Sequence, residues 1–423
     1  MTSPEPTSSD LRIDPGSERG YARDPRLQQA FDAAAEHLRQ VDGYVDPTDP
    51  EHRPQLRADL ALEGGGVKGI GLAGAVLVLD EAGYSFPRVA GTSAGAIAAC
   101  LIASISKAGK PIPALRTYLS QLEFAKFMPE SALHRWFDHQ GGALEMIGDA
   151  AILSHRIGLY TGDYLAEWLQ PILDELGVQT FADLKITQAD DPGMSLPASK
   201  RYRLVVHTSD ITRGELAKLP WDYGYYGLPA DEQEVVTAVR ASMSIPFFFE
   251  PVRVNAQAAE VDVTMPDGSV IKQRYAPGTV TWTDGGMLRN FPIGAFDRVD
   301  GQAARWPTIG VKLSSLQTNF GPTQASGTAL SVAVRALHTM MNEWDRYNIE
   351  ETTAARTIFV PNGGLTATQF DLTTDQQNDL FISGVRAATR FVIEMSHAGR
   401  VPRSASEAKK FILSRKAAAA PSA

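Results

Sequence analysis

The serine and the aspartate best placed for chemistry in this chain both stand beside glycines. Ser93 is the centre of Gly91-Thr92-Ser93-Ala94-Gly95, a G-x-S-x-G pattern. In this pattern a strand turns sharply into a helix, so the serine hydroxyl projects from the turn, and the flanking glycines give the turn room. The start of the helix adds partial positive charge below the hydroxyl. The pentapeptide therefore indicates a nucleophile for acyl transfer.

The segment TWTDGG, which ends in Asp284, Gly285 and Gly286, offers a candidate base. The residues before Asp284 are typical of a strand, so the aspartate is expected at a strand end, where two glycines let other backbone come close. A carboxylate in that place can accept the serine proton. The alternative interpretation is a simple Asp-Gly turn with no chemical role.

A glycine loop precedes both motifs, in the stretch LALEGGGVKGIG over Leu60–Gly71. Gly64, Gly66 and Gly69 fit G-x-G-x-x-G, the fingerprint of a loop that holds a dinucleotide pyrophosphate. That fingerprint requires an acidic residue at the end of the second strand, about 20 residues further on. The Ser93 turn occupies that position instead. We therefore interpret the loop as an oxyanion hole, whose backbone N–H groups stabilise the oxygen of an attacked carbonyl.

The elements around these motifs alternate between strands and helices. Hydrophobic patterning predicts strands at 56–62 and 86–91, each followed by a helix, at 70–82 and 94–108. This succession favours an α/β fold with a parallel sheet and helices on both faces. Because the two strands end at the same edge of such a sheet, the glycine loop and Ser93 are expected side by side. Further strands are predicted at 202–208, 280–283, 308–313 and 357–360, and further helices at 25–41, 328–353 and 376–396.

The motifs GGGVKG, GTSAG and DGG, in this order, resemble the signatures of the patatin-like phospholipases, lipid acyl hydrolases related to cytosolic phospholipase A2. The similarity extends to ASMSIPFFFEPV, over 241–252, and to Asn290 and Pro292, and it covers residues 56–365. Lys68 stands where many relatives carry arginine, which keeps the charge but loses the bidentate fork.

The resemblance implies a three-layer α/β/α sandwich with a mainly parallel central sheet, a Ser93–Asp284 dyad, and no metal or organic cofactor. Ser93 would form an acyl-enzyme with Asp284 as the base, and water would then release the fatty acid. The expected oxyanion-hole donors are the amides of Gly64, Gly65, Gly66 and Val67. The residues expected to support the site are Lys68, Gly69, Gly91, Gly95, Gly285 and Gly286. Lys68 would suit a phospholipid phosphate, and its alternative is a solvated surface lysine.

Other functions stay open on the residues alone. His338 and His397 follow Asp284, so a Ser–Asp–His triad in the α/β-hydrolase order is formally available. A soluble-ester or neutral-lipid hydrolase would use the same dyad on another substrate, and an inactive lipid-binding regulator would keep the fold alone. The presence of both Ser93 and Asp284 in their motifs favours an active enzyme.

Three parts are expected along the chain. Residues 1–55 form an extension, with a polar, disordered lead-in and one helix. Residues 56–365 form the catalytic domain, with a helical lid-like region at 115–180 and a hairpin insert at 254–277. The aromatic and methionine residues of 115–180 fit a core better than a lid that touches membrane. Residues 366–423 form a C-terminal helix and a basic tail that suits anionic lipid.

Composition limits the partners and the compartment. A net charge of −9 and a pI near 5.5 argue against a nucleic-acid partner. Cys100 is the single cysteine, so an internal disulfide is excluded. The sequence shows neither the apolar core of a signal peptide nor an apolar run of about 18 residues that would span a bilayer. We expect a cytoplasmic protein that meets its lipid substrate through transient, peripheral membrane contact, and the need for an activating partner stays open.

Overall fold

The computed structural model describes residues 25–39, 56–127, 158–264, 268–298, 302–313, 339–340, 351–363, 365, 372–397 and 401–419. The helices are α1 (Pro25–Arg39), α2 (Ile70–Glu81), α3 (Ala94–Lys107), α4 (Ala114–Ser120), α5 (Asp163–Glu175), α6 (Val235–Ser242), α7 (Gly286–Arg289), α8 (Glu351–Ala354), α9 (Thr374–His397) and α10 (Ala405–Ala419). The strands are β1 (Leu56–Arg57), β2 (Asp59–Leu62), β3 (Tyr84–Ser85), β4 (Val89–Thr92), β5 (Gly158–Tyr160), β6 (Leu204–Asp210), β7 (Glu215–Leu219), β8 (Phe247–Phe249), β9 (Val252–Ala256), β10 (Ala259–Thr264), β11 (Val270–Tyr275), β12 (Gly278–Asp284), β13 (Thr308–Lys312) and β14 (Thr357–Phe359).

An eight-stranded sheet forms the centre of the fold, in the order β14-β13-β2-β4-β6-β12-β9 with β7 also paired to β6. The pairs from β14 to β6 are parallel, whereas β7, β12 and β9 join the sheet antiparallel. Every residue of β2 and β4 is buried, which is typical of parallel strands covered by helices. The predicted α/β class with a mainly parallel central sheet is confirmed.

The helices α2 and α3 begin directly at the glycine loop and at the Ser93 turn. Residues 70–79 of α2 and 95–105 of α3 are buried without interruption. Helices that are apolar on all sides belong in the interior, and both pack beside the sheet. In turn α9 packs along α2, and α1 packs on α9. The glycine loop and the Ser93 turn are therefore each followed by a helix that is buried in the interior.

Several elements differ from the predictions made from hydrophobic pattern. The second predicted strand begins at Val89 instead of Phe86, because Pro87 cannot donate to a strand ladder. The first divides at Ala58 into β1, which pairs with β3, and β2, which pairs with β4 and β13. The predicted helix at 328–353 lies mostly outside the described residues.

The region 115–180 is not helical throughout, which corrects the prediction. Beside α4, a 3₁₀ turn at Phe124–Phe127 and α5, it contains β5, which pairs in parallel with β8. Phe127 and Tyr160 are buried and contact Phe249 at ring-centroid distances of 6.0 and 6.2 Å. The described aromatic residues of this region therefore serve the core. Met128, Trp136, Phe137 and Met146 fall outside the described residues, so the lid-like role stays a prediction.

The strands β10 and β11 form a separate antiparallel hairpin between β9 and β12. β11 exposes Val270 and Ile271, and its Lys272 and Arg274 both pair with Glu260 of β10. Across the described ranges, no helix is both long enough and apolar enough to cross a membrane.

Candidate active site

Ser93 lies at the junction between β4 and α3, as its motif predicts. Its backbone has φ 52° and ψ −124°, in a region that residues with a side chain rarely adopt. The flanking glycines are required by close packing: a β-carbon on Gly91 would overlap the Gly95 carbonyl oxygen, and one on Gly95 would overlap that of Leu62. The turn is therefore tightly packed, and its backbone is strained at Ser93. The side chain of Ser93 is buried, with an exposed fraction of 3%.

Asp284 ends β12 and is completely buried. Its Oδ1 accepts a hydrogen bond of 2.7 Å from the amide of Gly286, the first residue of α7. Its Oδ2 receives no hydrogen bond of good geometry from the described residues. Burial raises the pKa of the carboxyl to about 7, while the Ser93 hydroxyl and the Gly286 amide act in the opposite direction. Such a carboxyl exchanges its proton near neutral pH.

The sheet register brings the two side chains to the same edge. Thr92, which precedes Ser93, is paired with His207 of β6, and Asp284 is paired with the next residue of β6, Thr208. Gly285 fits against this strand, since a β-carbon there would overlap the His207 carbonyl oxygen. The Ser93 turn and Asp284 therefore lie next to one another although they come from distant parts of the chain.

The glycine loop runs beside Ser93 and is fixed by Asn290. The Gly64 amide donates to the Asn290 carbonyl oxygen, and Asn290 Nδ2 donates to the Gly64 carbonyl oxygen, each at 3.0 Å. A β-carbon on Gly64 would stand 3.1 Å from Ser93 Cβ. The 3₁₀ turn Gly66–Gly69 follows, and a β-carbon on Gly69 would stand 2.9 Å from that of Ala94. The glycine loop therefore lies directly against the Ser93 turn and the start of α3.

The four amides expected to donate in that hole differ in their bonding. Gly64 already donates to Asn290, so it would serve an oxyanion only by giving up that bond. The amides of Gly65, Gly66 and Val67 have no acceptor among the described residues. Gly66 also has φ 55°, which turns the backbone in a way that favours glycine. The available donors are consequently the three amides of 65–67.

Lys68 is buried, which rules out the alternative of a solvated surface lysine. Burial lowers the pKa of its ammonium group, Glu63 raises it and Lys312 lowers it. Glu63 and Lys312 form a buried ion pair, and Glu63 Oε2 also accepts the Leu313 amide at 2.5 Å. Lys68 itself has no ion-pair partner in the described part of the chain. Of the two lysines that interact electrostatically with Glu63, Lys312 forms the described ion pair and Lys68 does not.

The structure tests the alternative of a Ser–Asp–His triad only in part. His207 is completely buried, and burial lowers the pKa of its imidazole to about 3, with Lys218 and Arg289 acting in the same direction. Of the two histidines that follow Asp284, His338 falls outside the described residues, and His397 is described only as the last residue of α9. Among the described residues no cluster of three or more His, Cys, Asp or Glu side chains forms.

The structure also places three residues at the site to which the sequence analysis gave no role. Ser242 Oγ accepts a hydrogen bond of 2.9 Å from the Ser93 amide, and Ser244 O accepts one of 2.9 Å from the Asp284 amide. Asn290 fixes the glycine loop. These residues belong to segments noticed for their resemblance, but a hydrogen bond between distant segments leaves no pattern in a single sequence.

Comparisons with known proteins agree with these motifs. The profile of one protein family, described as Patatin-like phospholipase, matches residues 60–297. The uncharacterised protein YqhO of Bacillus subtilis (strain 168) is 33% identical over 339 residues, which are 80% of this chain and 99% of YqhO.

Two solved structures are more distantly similar to this chain. VipD from Legionella pneumophila is 15% identical with a TM-score of 0.40, over 80% of this chain and 67% of VipD. The second is the heterodimeric ExoU–SpcU complex from the type III secretion system of Pseudomonas aeruginosa. It is 16% identical with a TM-score of 0.32, over 86% of this chain and 60% of the matched one.

Proposed function

The chain belongs to the patatin-like phospholipase family, and on that basis we propose that it cleaves fatty-acyl ester bonds of phospholipids with Ser93 and Asp284. Family membership supports lipid acyl hydrolase activity in general. The observation that best supports the finer proposal is the buried carboxyl of Asp284 beside the Ser93 turn, with a pKa of about 7. A carboxyl of ordinary pKa, near 4, would be a weak base for an alcohol.

In the proposed reaction, Ser93 Oγ attacks the ester carbonyl carbon while Asp284 takes the hydroxyl proton. The carbonyl oxygen becomes an oxyanion, which the amides of Gly65, Gly66 and Val67 stabilise. When the tetrahedral intermediate collapses, the ester C–O bond breaks, Asp284 returns the proton to the leaving alcohol, and an acyl-enzyme remains. Water then attacks the acyl-enzyme with Asp284 as base, and the fatty acid and free Ser93 are released.

The buried charge of Lys68 supports a substrate that carries a phosphate. A buried cation without an ion-pair partner is costly, and an anionic group of the substrate would offset that cost. The field of Lys68 would also favour the oxyanion. A neutral lipid or a soluble ester would use this charge only at the oxyanion, because neither carries a phosphate.

The helix α10 supports brief contact with a membrane surface. It exposes Lys409, Lys410 and Leu413, the last of these 65% exposed. Lysines beside an apolar side chain combine attraction to anionic lipid with shallow burial in the interface. We propose that a cytoplasmic protein makes this peripheral contact with the membrane.

The deciding experiment is the reaction of purified protein with a fluorophosphonate probe and with three acyl substrates. These are phospholipid in mixed micelles, a neutral acylglycerol in the same micelles, and a soluble short-chain ester. Ser93→Ala should abolish labelling and lower hydrolysis by at least about 1,000-fold. Ser104→Ala, which removes the hydroxyl of another completely buried serine, should leave both unchanged. Absence of labelling and hydrolysis in the unmodified protein would favour the inactive lipid-binding regulator.

A further inference from the structure

Ser242, the last residue of α6, is completely buried between the Ser93 turn and β6. Its Oγ accepts a hydrogen bond of 2.9 Å from the Ser93 amide and donates one of 2.6 Å to the His207 carbonyl oxygen. A single hydroxyl thus joins the nucleophile to the strand that lies between the nucleophile and the base. Alanine at this position could make neither bond.

The hydrogen bond from the Ser93 amide to Ser242 Oγ holds a backbone conformation that is otherwise unfavourable. Its positive φ is unfavourable for a residue with a side chain and persists only when the surroundings hold the neighbouring peptide groups in place. The group after Ser93 is held by α3, because the Ser93 carbonyl oxygen accepts the amides of Ala96 at 2.8 Å and Ile97 at 3.2 Å. The group before Ser93 presents its N–H to Ser242 Oγ. The side chain of Ser242 therefore supplies the second of the two restraints.

The same short segment also holds the base. The Gly285 amide donates to the Ser242 carbonyl oxygen at 3.4 Å, and the Asp284 amide donates to that of Ser244 at 2.9 Å. The side chain of Ser244 is fixed in turn, since its Oγ accepts a hydrogen bond of 2.5 Å from Arg240. Residues 242–244 consequently bind the backbone of both the nucleophile and the base.

We infer that Ser242 is a positioning residue, whose hydroxyl holds the Ser93 turn in its reactive conformation and in register with Asp284. The inference rests on the proposed function, because it assigns Ser242 a part in a reaction carried out by Ser93 and Asp284. Ser242 acts through the backbone and does not touch the acyl group. Its loss should therefore slow the chemical step and leave substrate binding nearly unchanged.

The test compares Ser242→Ala, Ser242→Thr and Ser104→Ala. Ser104 is a matched control because it is also completely buried, and its hydroxyl interacts with the Cys100 thiol instead of with the site. Active serine is counted by fluorophosphonate titration, and kcat is expressed per titrated site on a soluble ester. Ser242→Ala should lower kcat and the labelling rate at least tenfold with KM within twofold. Ser242→Thr, which keeps the hydroxyl, should recover most of both rates, and Ser104→Ala should match the unmodified protein.

A second measurement tests the restraint on the Ser93 amide without relying on enzyme activity. In Ser242→Ala the amide of Ser93 should exchange with deuterium at least tenfold faster, with little change in the amides of the middle of α3. Faster exchange spread evenly over α3 and β6 would overturn the inference, because it would indicate a general packing role. A kcat per site within twofold of Ser104→Ala would also overturn it and would leave Ser93 as the nucleophile. A failure of the unmodified protein to label would overturn the proposed function and this inference together.

Discussion

Gly384 of α9 lies so close to Gly71 of α2 that a β-carbon on Gly384 would overlap the Gly71 carbonyl oxygen. One turn further along α2, a β-carbon on Gly74 would likewise overlap the carbonyl oxygen of Phe381. The two helices therefore touch through their backbones. Because α2 begins where the glycine loop ends, α9 supports the loop from behind, although α9 lies outside the residues matched by the family profile.

This contact predicts that Gly384→Ala destabilises the protein and slows it. The added methyl group meets rigid backbone, so the helices must separate, at a cost of about 1–3 kcal/mol. Thermal unfolding should shift down by several degrees, and kcat on a soluble ester should fall because the loop moves with α2. Gly224→Ala is the matched control, since nothing lies within 4 Å of its β-carbon position. Unchanged unfolding in Gly384→Ala would contradict the close packing.

The raised pKa of Asp284 predicts the pH dependence of catalysis. The base must be ionised to accept the Ser93 proton, and its pKa is about 7. We expect kcat/KM on a soluble ester to rise tenfold per pH unit below about pH 7 and to level off above it. The profile is measured with a non-titrating ester and corrected for buffer hydrolysis. A midpoint near pH 4 would show a solvated carboxyl and contradict the burial argument.

The same shift predicts that Asp284→Asn removes activity but stabilises the fold in a pH-dependent way. A carboxyl whose pKa rises on folding favours the folded state at low pH, and that contribution is lost as pH rises from about 4 to about 7. Asparagine does not titrate, so the variant does not lose this stability as the pH rises. The stability of the variant relative to the unmodified protein should therefore be greater at pH 8 than at pH 5, by about 2–3 kcal/mol.

Paired thermal or denaturant unfolding at the two pH values checks this, because all other titrating groups are common to both proteins. A difference that is constant with pH, or that is smaller at pH 8, would contradict an Asp284 carboxyl with a raised pKa.

The charge of Lys68 predicts selectivity among substrates. Lys68→Gln should lower kcat/KM at least tenfold on phospholipid micelles but no more than threefold on a neutral acylglycerol in the same micelles, since the neutral lipid has no phosphate to bind. Lys272→Gln, on the exposed hairpin, should alter neither rate. Equal losses on both substrates would assign Lys68 to the oxyanion alone.

Much of the site could be predicted because its chemistry is local in sequence. The strand–turn–helix around Ser93 needs small residues at fixed offsets, and those glycines are visible in the pentapeptide. The burial of α2 and β4 follows from continuous apolar runs. The mainly parallel sheet follows from the alternation of strands and helices, and this part of the fold is confirmed.

The remaining features depend on pairings between distant segments. Ser242 gained its position from the packing of α6 against β6 and the Ser93 turn, and no spacing rule leads to it. The glycine-rich loop leaves a solvated Lys68 as an alternative on sequence alone, yet Lys68 is buried and interacts electrostatically with Glu63 and Lys312. The antiparallel entry of β12, which sets the position of Asp284, depends on the sheet as a whole.

The hydrogen bond from Thr92 Oγ1 to the Arg289 carbonyl oxygen joins residues 197 positions apart, and it spans the two halves of the site. On a ribosome that adds about 5–20 residues per second, the nucleophile turn would be made about 10–40 s before the segment that carries the base. The helix that supports the glycine loop, α9, is made later still. A nascent chain would therefore carry Ser93 without Asp284 until β12 has been made. A lipid-cleaving activity assembled in this order would stay switched off until both β12 and α9 have been made.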